Sequence, residues 1–222
     1  MTSKNTDLIL FDCDGVLVDS EPISTTVFVE YLVEMGLEIN ENTVYRKFLG
    51  RSMGALATVL SNEFDFTITD EHLQAIRGRL FNRLSSNLKP ITGISQIIGS
   101  LEQAICVASS SQVDRIRLSL GVTDLLRFFE PHIFSASMVK NGKPAPDLFL
   151  HAARTMGVSP ARCLVIEDSP AGIEAAKQAG MQVFAFVGGT HAAPAKLRER
   201  AKPLAPDAVF DDMSQLPALL QN

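Results

Sequence analysis

The sequence lacks several features that would point to particular classes of protein. It has only three cysteines in 222 residues, and Cys13, Cys106 and Cys163 are far apart, with no Cys-x-x-Cys spacing. Each lies in or beside an apolar run, so we expect reduced core residues rather than disulfides or metal ligands. No apolar stretch approaches the roughly 20 residues that a membrane span requires.

Positive charge is also scarce. The formal net charge is −5, which argues against nucleic acid as the main partner because phosphate backbones favour basic surfaces. The first residues, MTSKNTD, are polar, so we expect no signal peptide and a cytoplasmic protein. Hydrophobic residues make up 46% of the chain, which is enough for a sizeable core without disulfides.

Short apolar runs alternate with helix-like segments along most of the chain. The runs are continuous rather than alternating, as is typical of strands buried on both faces of a parallel sheet. Three of the helical segments are predicted to stop at Gly121, Gly157 and Gly180. This order predicts an α/β, Rossmann-like parallel sheet with helices on both faces. The predicted strands are Leu8–Phe11, Ile105–Ala108, Ile133–Ser135, Leu164–Ile166, Val183–Val187 and Val209–Phe210.

One interval breaks this alternation, because residues 21–88 show helical patterns and no convincing strand. Apolar residues recur there at helical spacing. We therefore predict an inserted all-α helical cap at residues 19–88, and a core formed by residues 1–18 and 89–222. A body joined by two neighbouring connections can act as a lid. The apolar positions used are Leu73, Ile76, Leu80 and Leu84 on one face, and Val27, Tyr31 and Met35 at spacing four.

Two aspartates follow the first predicted strand, in the stretch LILFDCDG. Ligands of open α/β sheets bind outside the carboxyl ends of the strands, where Asp12 and Asp14 would lie. Carboxylates this close need a proton or a cation between them, and magnesium prefers oxygen ligands. Glu167 and Asp168, in VIEDSPAG, follow another predicted strand and could complete such a site. Asp-x-Asp-Gly is also a good turn sequence, so a turn or a helix cap is the alternative.

Two further strand ends carry groups suited to phosphate. Ser109, Ser110 and Ser111 offer hydroxyl and backbone donors, and Lys143 lies in the loop NGKPAPD. Taken alone, the serines fit an ordinary loop and the lysine fits a solvated surface position. Polar loops at four strand ends together favour a phosphate-binding site.

These motifs, in this order and spacing, resemble the haloacid dehalogenase superfamily over nearly the whole chain. FDCDGVLVDS resembles its first motif, VASSS its second, GKPAPD its third and VIEDSPAG its fourth. The helical insertion after the first motif resembles the cap of the phosphoglucomutase-like branch, subfamily I. Within it, the chain is most similar to bacterial sugar-phosphate phosphatases, including the 6-phosphogluconate phosphatase type.

The resemblance implies a role for each matching residue. Asp12 would attack phosphorus and form an aspartyl-phosphate, and Asp14 would protonate the leaving alcohol and then deprotonate water. Ser109 and Lys143 would hold the phosphoryl oxygens. The implied magnesium ligands are Asp12, the backbone carbonyl of Asp14, Asp168 and, directly or through a neighbouring group, Glu167. The chemistry is sound, since a carboxylate needs no deprotonation at neutral pH but needs cations nearby to approach a phosphate dianion.

The substrate side of the site is predicted from fewer signals. Gly50 and Arg51 match a cap loop that contacts substrate in similar enzymes, and Arg51 could pair with a second charge on the substrate. A helix-connecting loop with a solvated arginine is the alternative. The substrate is expected to be a small phosphorylated metabolite, and Ser110 and Ser111 are expected to contact its phosphate.

Other activities of the same scaffold fit less well. The mutase branch carries a histidine on the first cap helix, but this chain has no histidine before residue 72 and has Ser24 near that place. A phosphate-accepting signalling domain would lack an inserted cap. We read all four histidines, His72, His132, His151 and His191, as structural or surface residues. The sequence therefore predicts a magnesium-dependent phosphomonoester hydrolase, a monomer by default, and leaves a mutase and a non-catalytic phosphoacceptor as alternatives.

Overall fold

The fold is built on one parallel sheet. The computed structural model describes residues 6–48 and 53–221, without the side chains of residues 53–55. Within them, the strands are β1 (Leu8–Phe11), β2 (Ala104–Ser109), β3 (Ile133–Ser135), β4 (Cys163–Glu167), β5 (Gln182–Phe186) and β6 (Ala208–Phe210). All neighbouring strands are parallel, in the order β3-β2-β1-β4-β5-β6. Every predicted strand is present within one residue of its predicted ends.

The central position of β1 explains why its sequence is apolar throughout. Ile9 and Phe11 pack into the core on one face of the sheet, and Leu8 and Leu10 pack into the core on the other face. Successive side chains of a strand point to opposite faces, so both faces of β1 must be covered. The predicted Rossmann-like α/β fold is confirmed.

Helices cover both faces. One face carries α5, α6 and α11, and the other carries α8 and α9. The helices within the described part of the chain are α1 (Glu21–Glu34), α2 (Glu41–Lys47), α3 (Met53–Phe64), α4 (Asp70–Asn87), α5 (Ile94–Ser100), α6 (Val113–Val122), α7 (Leu126–Phe129), α8 (Asp147–Thr155), α9 (Pro170–Gln178), α10 (Leu197–Ala201) and α11 (Leu216–Leu220). None of these helices is both long enough and apolar enough to cross a membrane.

The predicted glycine stops are correct in two cases of three. Gly157 and Gly180 follow α8 and α9 with φ of +71° each, a conformation that glycine adopts without a side-chain clash. Gly121 was expected to end α6, but the helix continues to Val122, and Asp124 takes the positive φ instead, at +58°. Aspartate tolerates this region better than most residues, so the chain turns three residues later than predicted.

The interval between β1 and β2 begins with α1–α4, and the described part of residues 21–87 contains no strand. Leu80 and Leu84 of α4 pack against Val27 of α1, as the helical spacing predicted. Tyr31 is also buried, but Met35 is 42% exposed because α1 ends at Glu34 and the chain turns away at Gly36. Met35 therefore lies outside the buried face of α1.

The two connections to this helical segment run side by side. The backbone N–H of Asp19 donates to the carbonyl of Lys89 at 3.0 Å, and that of Ile91 donates to Leu17 at 2.9 Å. Val18 and Pro90 form an antiparallel bridge between them. The two connections are thus hydrogen-bonded to each other and do not form two separate linkers.

We expect the central sheet to carry much of the stability. Leu164 of β4 is fully buried, so Leu164→Ala should lower the free energy of unfolding by about 2–5 kcal/mol, through lost burial and a residual cavity. Urea unfolding followed by circular dichroism measures the change. Val33→Ala, at a position 50% exposed, is the control and should stay within about 0.5 kcal/mol of the unchanged protein. Equal stability of both variants would contradict the described core.

Candidate active site

The carboxyl ends of β1, β2 and β4 open into one cavity of about 800 Å³. Parallel strands present these ends at the same edge of the sheet, so residues distant in sequence meet there. The sequence-predicted residues that line it are Asp12, Asp14, Ser109, Ser110, Ser111, Lys143, Glu167 and Asp168. All eight predicted residues from the four motifs therefore share one cavity.

Lys143 lies at the base of this cavity and is almost fully buried, with a side chain 4% exposed. Its ammonium donates to Oδ1 of Asp12 at 2.8 Å, to the carbonyl of Ala108 at 3.0 Å and to Oε1 of Glu167. Burial disfavours its charge, but Asp12 and Glu167 outweigh burial and raise the pKa of Lys143. The lysine is a fixed cation that joins the loop after β3 to β1 and β4.

Glu167 is fully buried, and both its oxygens are engaged. Oε1 accepts from Lys143, while Oε2 accepts from the backbone N–H of Asp168 at 3.0 Å and from both the backbone N–H and the hydroxyl of Ser169 at 2.9 Å. A Cβ on Gly172 would lie 1.9 Å from this carboxyl group, so only glycine fits there. Glu167 thus holds Lys143 and the loop into α9.

Asp168 is held by a histidine. Nε2 of His191, which follows β5, lies 2.8 Å from Oδ2 of Asp168, and both side chains are buried. Burial raises the pKa of Asp168, although His191 opposes the shift, and Asp168 in turn raises the pKa of His191 against the effect of burial. Added Cβ atoms on Gly15 or Gly189 would lie within 2.9 Å of the imidazole. The interpretation of His191 as merely structural or surface missed this contact.

The acidic residues here fit a divalent cation. One ligand atom from each of Asp12, Glu167 and Asp168 lies within 4.8 Å of the others, and all three residues are buried. Three buried carboxylates face one buried lysine, and burial raises the pKa of Asp12 well above its ordinary value although Lys143 opposes the shift. A hard cation would offset this negative charge, and oxygen atoms are the ligands that magnesium prefers.

Asp14 points away from this cluster, although it lies only two residues from Asp12. Its Oδ1 accepts from the hydroxyl of Ser20 at 2.5 Å and from Arg115 at 2.8 Å, and its Oδ2 accepts from the hydroxyl of Ser111 at 2.6 Å. Burial would raise its pKa, but Arg115 and the two hydroxyl groups lower the pKa of Asp14 below its ordinary value. The carboxylate of Asp14 is therefore not part of the acidic cluster. Of the predicted magnesium ligands on Asp14, only its backbone carbonyl remains.

The three serines after β2 differ in environment. Ser109 is buried, and its hydroxyl accepts from the backbone N–H of Ser111 at 3.1 Å. Ser110 is exposed at the cavity wall. The hydroxyl of Ser111 is already bonded to Asp14, and its carbonyl accepts from Ser135 at 2.7 Å. The prediction that Ser110 and Ser111 contact substrate phosphate stays a prediction.

The opposite wall of the cavity comes from α4. Leu73, Arg77 and Phe81 lie along it, with the guanidinium of Arg77 5.0 Å from the Phe81 ring centre and paired with Asp114 of α6. The predicted substrate contacts Gly50 and Arg51 lie outside the described residues. The segment between β1 and β2 therefore contributes an apolar wall with a cation to the cavity, one that no motif indicated.

A further carboxylate lines the cavity. Glu21 is the first residue of α1, and its half-buried position beside Asp14 raises its pKa to about 7. Sequence reasoning also missed Arg115. Both residues lie in the first turn of a helix that starts close to a motif: α1 begins two residues after Asp19, and α6 begins two residues after the serine run. The short spacing between motif and helix is the signal that could have indicated Glu21 and Arg115.

The fit of Glu167 against Gly172 can be tested by a single methyl group. Gly172→Ala should lower the free energy of unfolding by about 1–3 kcal/mol, because the added carbon collides with a buried carboxylate. The melting temperature should fall with it. Calorimetry measures the change. Gly78→Ala, within α4 and with open space around it, is the matched control and should be stabilised by about 0.5–1 kcal/mol. If Gly172→Ala behaves like the control, Glu167 is not confined as described.

Comparison with known proteins agrees with the geometry. A model of the haloacid dehalogenase-like hydrolase family matches residues 9–186. The 6-phosphogluconate phosphatase of Escherichia coli (strain K12) is 30% identical over 216 residues, which cover 96% of this chain and 94% of that protein. The chain therefore spans nearly the full length of this relative, and the predicted similarity to bacterial sugar-phosphate phosphatases is confirmed.

Two solved structures are also similar over their whole length. A haloacid dehalogenase-like protein of unknown function from Agrobacterium tumefaciens has a TM-score of 0.87 at 34% identity, covering 97% of this chain and 98% of that chain. A family hydrolase from Deinococcus radiodurans, crystallised with bound phosphate and sodium, has a TM-score of 0.79 at 30% identity, covering 98% and 96%. Sequence motifs, fold and similarity agree: the chain belongs to the haloacid dehalogenase-like hydrolase family.

Proposed function

We propose that this phosphatase hydrolyses a small sugar phosphate or sugar-acid phosphate, with magnesium, through a phosphorylated Asp12. The observation that carries the proposal is the placement of Asp12, which lies beside both a buried cation, Lys143, and the acidic cluster it forms with Glu167 and Asp168. A carboxylate in this setting is ionised when cations surround it. It can then attack an electrophilic phosphorus without first losing a proton.

Asp12 and Asp168 are the carboxylates best placed to hold the magnesium ion, together with the backbone carbonyl of Asp14. Glu167 is already bonded through both oxygens, so its role is to hold Lys143 and the Asp168 loop rather than to bind the metal directly. His191 orients Asp168 through the contact of its Nε2 with Oδ2. When bound, magnesium would neutralise phosphoryl oxygens and reduce their repulsion of Asp12.

The first half of the reaction joins Asp12 to phosphorus and breaks the bond between phosphorus and the substrate oxygen. The positive charge of Lys143 and the hydroxyl of Ser109 stabilise the phosphoryl oxygens. The phosphate dianion of the bound substrate opposes the effect of Arg115 on the pKa of Asp14, so Asp14 can carry a proton there. The leaving oxygen takes this proton and departs as an alcohol. Oδ2 of Asp14 is the oxygen suited to carry that proton, because its partner is a hydroxyl, Ser111, which can donate or accept.

The second half restores the enzyme. Water attacks phosphorus, its proton passes to Asp14, and the bond between phosphorus and Asp12 breaks to release inorganic phosphate. Asp14 therefore acts first as an acid and then as a base, so its position matters in both halves.

Residues 19–88 act as a cap over this site in our proposal, with the core formed by residues 1–18 and 89–222. The α4 wall of the cavity and the paired connections at Asp19 and Lys89 support this division. A cap closing over substrate limits access of water to the phosphorylated intermediate.

The substrate class rests on the similarity to 6-phosphogluconate phosphatase. The three buried, unpaired cysteines agree with a reducing, cytoplasmic location.

The nucleophile assignment is tested by phosphate release from a panel of sugar phosphates and sugar-acid phosphates that includes 6-phosphogluconate. Asp12→Asn should lower kcat on the best substrate by more than about 10³-fold, because an amide cannot form the aspartyl-phosphate. Circular dichroism checks the fold. Asp124→Asn, an exposed site at φ +58° that asparagine also tolerates, should keep full activity. Retention of most activity by Asp12→Asn would overturn the assignment.

The metal proposal has its own measurement, independent of turnover. Calorimetric titration of the EDTA-treated protein with magnesium should give one site per chain, and Asp168→Asn should weaken binding by at least about tenfold because a charged ligand is lost. Phosphate release should stop in EDTA and return with added magnesium. Asp124→Asn again serves as the control and should bind magnesium normally. Equal affinity in Asp168→Asn and the unchanged protein would place the metal elsewhere.

A further inference from the structure

Arg115 occupies a position at the site that none of the motifs assigns. It lies in the first half of α6, and one Nη2 atom donates to Oδ1 of Asp14 at 2.8 Å and to the hydroxyl of Ser24 at 3.2 Å. The pair is well shielded, since the side chain of Arg115 is 21% exposed and that of Asp14 is 13% exposed. An ion pair in this setting restrains both partners far more than a surface pair does.

The other partners of Asp14 cannot fix its orientation in the same way. Ser20 and Ser111 contact it through hydroxyl groups, which rotate and can donate or accept. A guanidinium is planar, always charged and only donates, so it keeps one carboxylate oxygen in place whichever way the hydroxyl groups turn. Arg115 therefore anchors Oδ1 and leaves Oδ2 to the reversible contact with Ser111.

Ser24 gives the contact a second consequence. It lies on α1, in the segment that follows β1, whereas Arg115 belongs to a helix packed on the sheet. The same Nη2 atom thus joins the carboxylate of Asp14 to the first helix after β1. Ser24, near the place where the mutase branch carries a histidine, is thus bonded to Arg115.

We propose that Arg115 is a positioning residue that orients Asp14 for protonating the leaving oxygen and for activating water. The inference rests on the proposed function, because it assigns the partner of the proposed acid and base. It concerns only the steps that move a proton. Binding of the phosphoryl group and attack by Asp12 do not depend on Arg115.

Leaving groups of different basicity separate these steps. An alkoxide from a sugar phosphate must be protonated to depart, whereas p-nitrophenolate departs without a proton. The ratio kcat/KM reports the steps up to formation of phosphorylated Asp12, and kcat also includes its hydrolysis by water. A lost acid therefore lowers kcat/KM for the sugar phosphate alone, and a lost base makes hydrolysis of the intermediate slow for both substrates.

The test compares Arg115→Met with the unchanged protein in magnesium-containing buffer, on the best sugar phosphate of the panel and on p-nitrophenyl phosphate. Methionine keeps much of the apolar stem, and Nε of Arg115 has no partner to lose. We expect kcat/KM to fall by about 10- to 100-fold for the sugar phosphate and to stay within about twofold for p-nitrophenyl phosphate. Rapid mixing with the latter should also reveal a burst of about one p-nitrophenolate per chain, because the intermediate accumulates.

Two further variants test whether a loss of activity in Arg115→Met comes only from a disturbed fold. Arg117→Gln, two residues along the same helix in an exposed pair with Glu130, should leave both substrates unaffected. Arg115→Lys keeps a charge near Asp14, so it should recover part of the sugar-phosphate activity, and added guanidinium should do the same for Arg115→Met. If Arg115→Met does not fold by circular dichroism, the lysine variant alone carries the comparison of the two substrates.

The outcomes are distinct. A larger loss with the sugar phosphate than with p-nitrophenyl phosphate, together with a burst, supports the proposal. Equal losses with both substrates, or no loss with either, overturn it, because Arg115 would then act in substrate binding or in the fold alone. If the unchanged protein releases phosphate from neither substrate, it is the proposed function that fails.

Discussion

The site depends on the contacts of one buried ammonium group. Lys143 uses all three of its N–H bonds on Asp12, Glu167 and the carbonyl of Ala108, and so ties three strand ends and the loop after β3 together. Burying several carboxylates in one place is unfavourable unless cations accompany them. The same excess of negative charge that makes the region costly to fold makes it suited to bind a divalent cation. Stability and chemistry are thus set by one charge balance.

The parallel sheet makes this balance possible. β1 lies at its centre, and the chain leaves it toward β2 and β3 on one side and returns to β4 and β5 on the other. The crevice at such a reversal collects loops from both halves of the fold. Because β1 and β4 are bonded in register, with Phe11 opposite Ile166, the acids that follow them emerge side by side. Small residues then matter as much as charged ones, and Gly172 gives Glu167 the space its carboxylate needs.

The sequence was most informative where a residue's neighbours in the chain determine its surroundings. Strands covered on both faces must be apolar throughout, so the β-strands could be located within a residue. Asp12 and Asp168 could be placed because each directly follows a strand, and Lys143 because it lies in the loop after β3. Helix ends were less certain, since a single turn decides whether Gly121 or Asp124 reverses the chain.

Contacts between side chains that are distant in sequence could not be read from the pattern. His191 meets Asp168 across 23 residues, and Arg115 meets Asp14 across 101. A buried histidine or arginine has no periodicity of its own, and only the folded geometry identifies its partner. The reversal of Asp14 away from Asp12 is of the same kind, because the spacing places two carboxylates together but does not set their rotamers.

The paired connections at residues 18–19 and 89–90 have an evolutionary consequence. Because the segment leaves and re-enters the sheet at one hydrogen-bonded point, its length and sequence can change without moving any strand. Selection can therefore replace the α4 wall of the cavity while the residues at the strand ends keep their places. Diversification of specificity within such a lineage needs no new catalytic machinery.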